Sequence, residues 1–185
     1  MSPFHCVFEA VVFWGVLVVS LAIAVSWIVR HRKPRGKRRH DLFPLIFLVL
    51  AGDIALGYAR VVPLPHWLFY VGEILYVLGA TFTAWSYAHL GQYRLPYVEV
   101  LPEHQVIEAG PYRYVRHPGY LGAMVALTGL SIAMQSLVAL LATLVIGGSL
   151  FAQRIHVEEE LMTSELGDRY VEYVARTKRF VPFVW

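Results

Sequence analysis

Cysteine is almost missing from this chain. Cys6 is the single example in 185 residues, which excludes an intramolecular disulfide and a thiolate metal cluster and leaves Cys6 as a small apolar side chain. Charge is also scarce: Asp, Glu, Lys and Arg together make up 16%, and none occurs between Arg116 and Arg154. There is no GxGxxG after a strand, no Walker loop, no HExxH and no strand-helix alternation, so a dinucleotide sheet and a P-loop enzyme are excluded. The 8 histidines are scattered, with no i,i+4 pair among them, and offer no metal-ligand set. No internal repeat or low-complexity tract is present.

What the chain has in excess is apolar surface. Hydrophobic residues make up 57%, and the mean hydropathy is +0.54, more than one soluble core can hide. Apolar runs cover roughly 7–29, 42–62, 67–90, 118–134 and 137–155, and crossing a bilayer takes about 20 residues. The expected fold is an all-α integral membrane protein of five transmembrane helices. The fourth and fifth form a tight hairpin broken only at Gln135-Ser136, and about 17 residues is at the short end for spanning, so a re-entrant pair is the alternative. All but Arg60 of the 16 Lys and Arg fall on one face of that topology. The positive-inside rule makes this face cytoplasmic and places the N-terminus outside. The pI of 9.1 then reports topology and attraction to anionic lipid rather than nucleic-acid binding. The first segment has no basic n-region and no small-residue cleavage site, so it is expected to stay as a helix.

The loop "RHRKPRGKRRH" (30–40) reads as a topology anchor, without the interleaved aromatics a nucleic-acid surface needs. Asp53 and Glu73 stand inside apolar segments. Each is expected to make an inter-helix hydrogen bond, pairing with Arg60 or lining a cavity being the alternatives, and Glu9 to lie near the outer interface. Gly52, Gly57, Gly72 and Gly79 read as close-packing points. From 91 to 117 a polar stretch punctuated by Gly and Pro is long enough to be functional. Beyond 155 the chain reads as two amphipathic tail helices, His156 to Glu165 and Asp168 to Thr177, broken at Gly167. Phe180, Phe183 and Trp185 follow as interfacial anchors.

Two clusters carry chemistry. In "GPYRYVRHPGYLG" (110–122), Pro118 fits a first helical turn, and the open amides of that turn favour an anionic group. The plainer reading is that Arg116 and His117 snorkel to the interface. In "RIHVEEELM" (154–162), Arg154 and Glu158 are four apart and share a helical face, and the hairpin brings Arg154, Glu158 and Glu159 toward His117 and Tyr120. The plainer reading here is a surface ion pair with Glu159 and Glu160 solvated.

His104, "GPYRYVRHPGYLG", "RIHVEEELM" and "LGDRYVEYVARTKRFVP" together resemble the membrane-embedded isoprenylcysteine carboxyl methyltransferase family and its relatives, the phospholipid N-methyltransferases. The resemblance covers about 90–182. By length the chain makes one domain, 1–185, read as a three-helix part at 1–90 and a cofactor-binding and catalytic part at 91–185. The implied cofactor is S-adenosyl-L-methionine, leaving as S-adenosyl-L-homocysteine. The backbone of His104, Gln105, Val106 and Ile107 would contact it, and Tyr112 would pack beside it. His117, Pro118, Gly119 and Tyr120 would wall its pocket, Glu158 would bind it, and Arg154 would face the methyl acceptor. The residue types agree: a sulfonium, an ammonium and a carboxylate together ask for acidic, aromatic and cationic neighbours, here Glu158, Tyr112 with Tyr120, and His117 with Arg116. In-line methyl transfer needs alignment and dryness more than an acid or base.

The chain departs from the family in two places. Prokaryotic relatives often carry a tryptophan and a polar residue after the "LG" where this chain has "LGQYRLP" (90–96). The acidic run after the fifth segment is shorter on its N-terminal side than in the eukaryotic enzymes. Both bear on the acceptor, for which an isoprenylcysteine-like carboxylate, a phospholipid amine, a small thiol or another lipid remain open. Other classes are a nicotinamide-dependent membrane reductase, against which the short chain argues, and a non-catalytic scaffold, which leaves Glu158 and the His-Pro helix start without a purpose.

Overall fold

The computed structural model describes residues 9–11, 13–15, 17, 18, 22, 25, 37, 38, 43–59, 62–93, 99, 100 and 105–180. Every described position between 9 and 25 is helical. Among the described residues, four helices of the body follow, α1 (Phe43–Ala59), α2 (Leu68–Leu90), α3 (Pro118–Ala133) and α4 (Leu137–Leu166), and then one of the tail, α5 (Asp168–Arg176). α2 and α4 are long and apolar enough to cross a membrane by length and composition, and Val49–Ala59 and Pro118–Ala133 are shorter apolar helices. The apolar part of α4 is 137–155, and its last turns, with Glu158 and Glu159, extend beyond it. Two-residue strands β1 (Lys37–Arg38) and β2 (Glu99–Val100) pair antiparallel, so the basic loop is tied to the stretch that leads into the site.

Small residues decide the central packing. α2 and α3 run antiparallel with Gly72 and Gly79 of one set against Gly122, Ala126, Gly129 and Ala133 of the other. A Cβ at Gly72 would meet the backbone of Gly129 and Ala133, and one at Gly79 the backbone of Gly122 and Ala126. The helices approach to backbone contact, as small-residue interfaces in membranes allow. Gly57 also packs closely, on Met134, but among the described residues a Cβ at Gly52 would meet nothing within 4 Å, so they do not make Gly52 one of the packing points expected.

The hairpin expected at Gln135-Ser136 is present. Gln135 takes a positive φ of 55°, and Ser136 caps α4 by accepting the amide of Ala139 at 3.2 Å. The loop before α2 is stitched to this turn: Leu64 N donates to Gln135 O at 2.9 Å and Leu137 N to Val62 O at 3.1 Å. At the same end Glu9 is buried, accepting from His66 Nε2 and from the Tyr70 hydroxyl, each at 3.0 Å, while the Gln135 amide donates to His66 Nδ1 at 3.1 Å.

Asp53 is fully buried and makes the inter-helix hydrogen bonds expected of it. Thr143 Oγ1 donates to its carboxylate at 2.8 Å and Ser131 Oγ at 3.0 Å, so α1, α3 and α4 meet at one point. Glu73 is half-buried on α2, and Arg60 lies outside the described residues. The tail breaks at Gly167 (φ 57°) as expected, but 156–165 is the end of α4 and not the separate tail helix expected, and Phe180 is half-buried. Phe183 and Trp185 lie outside the described residues.

Candidate active site

Three elements converge at one end of the bundle: the 110–117 loop, the start of α3 and the last turns of α4. The tail closes over them. Pro111 and Tyr112 are buried in a 3-10 turn, and Gly110 turns at a positive φ of 58° against the His89 ring. Pro118 opens α3 with its missing N–H in the first turn, and Leu121 N makes the first backbone bond back to His117 O at 3.1 Å. Gly119 has no room for a side chain, since a Cβ would strike the Tyr87 ring, and its carbonyl accepts from Thr83 Oγ1 at 3.3 Å.

Arg154 and Glu158 meet on one hydroxyl. Arg154, only 4% exposed, donates from Nε to the Tyr120 oxygen at 2.7 Å, and the Tyr120 hydroxyl donates to Glu158 Oε2 at 2.7 Å. The Arg154 guanidinium also lies 5.8 Å from the Tyr120 ring centroid. The rings of His117, Tyr120 and Phe151 follow one another at 5.7 and 5.6 Å, giving the charged pair an aromatic wall.

Glu159 faces the other way and is buried, not solvated. Its Oε1 accepts from Arg116 Nε at 2.8 Å and from His117 Nε2 at 3.2 Å, and its Oε2 pairs with Arg179 Nη2 at 2.6 Å. Burial alone would raise its pKa, but hydrogen bonds from His117, Arg179 and Arg116 outweigh that and hold it at about 2. The same arginine fixes the tail, donating from Nη1 to Thr177 O at 2.5 Å and Val174 O at 3.2 Å. Residues 178 and 179 lie parallel to the loop: Arg116 N donates to Lys178 O at 2.8 Å, His117 N to Arg179 O at 3.2 Å and Lys178 N to Tyr114 O at 3.1 Å. Tyr173 adds a bond from its hydroxyl to Tyr112 O at 2.7 Å. Burial pushes that phenol well above its ordinary range, so it stays a donor.

The structure therefore brings together His117, Tyr120, Arg154 and Glu158; Pro118 and Gly119 lie between the first two in the chain, Gly119 packed on Tyr87 of α2, and Tyr112 is buried in the loop with its carbonyl on Tyr173. Gln105 is exposed, and Val106 and Ile107 are half-buried on a segment tied to the tail through Glu108, which accepts from Arg176 Nη2 at 3.1 Å. His104 lies outside the described residues. Arg116, expected beside His117 as a cationic wall of the pocket, is instead committed to Glu159 and the tail carbonyls. Of the two glutamates expected near His117 and Tyr120, Glu159 meets His117 and Glu158 meets Tyr120. The sequence reading missed Arg179 as a partner of Glu159. The signal available was the pairing of an acidic run with a basic "RTKRF" one short helix later.

A model of the isoprenylcysteine carboxyl methyltransferase (ICMT) family matches residues 72–164, from α2 through nearly all of α4. The chain belongs to the ICMT family. Among similar proteins, protein-S-isoprenylcysteine O-methyltransferase B of Arabidopsis thaliana is 31% identical over 114 residues, 62% of this chain and 55% of that protein. The A form of the same plant is 32% identical over 114 residues, with the same shares covered. Protein-S-isoprenylcysteine O-methyltransferase of Tribolium castaneum is 29% identical over 126 residues, 64% of this chain and 43% of that one. The solved eukaryotic intramembrane Ras methyltransferase ICMT, without a monobody, superposes with a TM-score of 0.66 at 21% identity over 76% of this chain and 53% of that chain. The two share a fold. This ICMT-family chain spans about half the length of the curated relatives it matches. Residues 165–180, which carry Arg179, lie beyond the family match.

Proposed function

We propose that the chain is a membrane methyltransferase that uses S-adenosyl-L-methionine to methylate the carboxylate of an isoprenylcysteine-like or other lipid-borne acceptor. One observation carries this reading: a buried guanidinium, Arg154, and a carboxylate, Glu158, held against the hydroxyl of Tyr120 at the start of α3. The residues suit the cofactor, since Glu158 and the rings of His117 and Tyr120 match a sulfonium and an ammonium. Glu158, Tyr112, His117, Pro118, Gly119 and Tyr120, with the backbone of 104–107, would hold it. When bound, it supplies an electrophilic methyl group on a positive sulfur.

The chain's own part is placement. Arg154 orients the acceptor carboxylate by charge, and the aromatic wall excludes water from an in-line approach. The acceptor arrives as a carboxylate and leaves as an ester, so no proton moves and no general base is needed. The distribution of Lys and Arg supports five spanning segments, an outside N-terminus and a cytoplasmic active face and C-terminus, with 1–90 and 91–185 working as one domain.

The test is methyl transfer from labelled S-adenosylmethionine to a farnesylated N-acetylcysteine by the purified, detergent-solubilised protein. Arg154→Ala should lower kcat/KM on the order of a hundredfold or more while leaving S-adenosylhomocysteine binding in place. Glu158→Ala should weaken that binding. Full turnover by Arg154→Ala would remove its role. Transfer to a phospholipid amine but not to the farnesyl carboxylate would reassign the acceptor.

A further inference from the structure

α4 is not one uniform helix. Between Leu137–Ala142 and Gly148–Leu166 it winds through a π-helical turn, Thr143–Gly147, in which the amide of Gly148 reaches back five residues to the carbonyl of Thr143. Thr143, the first residue of that turn, is the one bound to Asp53. Its hydroxyl donates to both carboxylate oxygens at 2.8 Å and lies 2.9 Å from Ser131 Oγ, and Asp53, Ser131 and Thr143 are each at most 1% exposed. Gly147 and Gly148 end the turn, where weak helix propensity makes the wider winding cheap.

The turn sets which side of α4 faces the bundle at its far end. Its buried residues include a run at steps of four, Ala139, Thr143, Gly147, Phe151, Ile155 and Glu159, with Arg154 and Leu161 buried beside it. In an unbroken α-helix each such step drifts about 40° around the axis, so the run would wind away from its neighbours. A π turn returns roughly one residue's rotation, on the order of 100°. Beyond it Phe151 meets the Tyr120 ring, Arg154 meets the Tyr120 hydroxyl and Glu159 meets His117.

We infer that Asp53, through Thr143, is a remote positioning residue: it pins the π turn and so fixes the rotation that presents Arg154 and Glu158 to the site. The rotation is separate from catalysis, whereas its effect on the site rests on the function proposed above.

Two readouts keep these apart. In a Cys6→Ala background, Glu160→Cys should react quickly with a soluble thiol reagent and Leu161→Cys slowly, because Glu160 is exposed and Leu161 is 2% exposed. Replacing the whole polar set by apolar residues of similar size (Asp53→Leu, Ser131→Ala, Thr143→Val) should leave a folded protein, since no buried polar group loses a partner. If the inference holds, the 160/161 contrast is lost in that variant. A rotation of one residue in either direction carries Leu161 to an exposed or half-buried position. Thr143→Val alone, which keeps the bond between Ser131 and Asp53, gives the same reading should the triple variant misfold, and Thr143→Ser should restore the contrast. S-adenosylhomocysteine affinity should fall on the order of tenfold or more in the variants that rotate, the loss of about one charged hydrogen bond. An unchanged contrast in a folded variant would overturn the inference. A lost contrast with no cofactor bound even by the wild type would uphold the rotation and sink the proposed function.

Discussion

Glu159→Gln keeps the shape of the side chain and removes its charge, which isolates what the carboxylate does for the tail. Glu159 and Arg116 are 11% and 8% exposed, and Arg179 is 35% exposed, so the inner pair carries most of the interaction and the outer one is partly screened by solvent. A carboxyl held at about 2 instead of 4.5 prefers its charged form by about 3 kcal/mol, the lower end of the cost of breaking a buried pair. That free energy should appear locally, as opening of the strand-like contact between 114–117 and 177–179. The amides of Arg116 and His117, which donate to Lys178 O and Arg179 O, are the reporters. In hydrogen exchange on the detergent-solubilised protein, their protection should fall on the order of a hundredfold in Glu159→Gln, with the α2–α3 amides unaffected. Equal protection in the two proteins would refute the reasoning, because the tail would then be held by its backbone bonds and Tyr173 alone.

The pH dependence of the same contact follows from the depressed carboxyl: its stabilisation is complete above 4.5 and is lost as pH falls toward about 2, so protection corrected for intrinsic rates should be flat above 4.5 and decline below it. Gly72→Ala and Gly129→Ala each put a Cβ into facing backbone and should destabilise by about 1–3 kcal/mol or more, lowering Tm in detergent. Gly52→Ala, whose new Cβ meets nothing within 4 Å among the described residues, should cause no loss. Tyr120→Phe removes the hydroxyl that bridges Arg154 and Glu158 and should weaken S-adenosylhomocysteine binding on the order of tenfold with little change in Tm, measured by titration calorimetry and thermal unfolding of one preparation.

Much of the fold could be read from hydropathy because a membrane demands long apolar runs and punishes stray charge. The break at Gln135-Ser136, the start of α3 at Pro118 and the tail break at Gly167 all followed from local chemistry: a polar pair, a proline and a glycine. The pairing of Lys37–Arg38 with Glu99–Val100 could not be read. Two residues carry no periodicity, and a basic run looks the same whether it lies on lipid or takes a short strand partner. Likewise Gly52 and Gly72 are equivalent as letters in apolar helices, and only the orientation of each helix decides which one meets a neighbour's backbone.

The two adjacent glutamates show where such reading runs out. Glu158 and Glu159 are about 100° apart on the helix, so one turns to Tyr120 while the other enters the cluster of Arg116, His117 and Arg179. Counting faces along α4 from the buried Thr143 with a uniform step puts Arg154 almost directly in line with it, eleven residues and about three turns on. The π turn breaks that count, and nothing in the apolar letters "TLVIGG" announces it apart from the two glycines. The local spacing of Arg154 and Glu158 survives, because it lies wholly beyond the turn. What the pair faces depends on a hydrogen bond to Asp53, ninety positions from Thr143 in the sequence, and a residue's partner at that distance is not written in its neighbours.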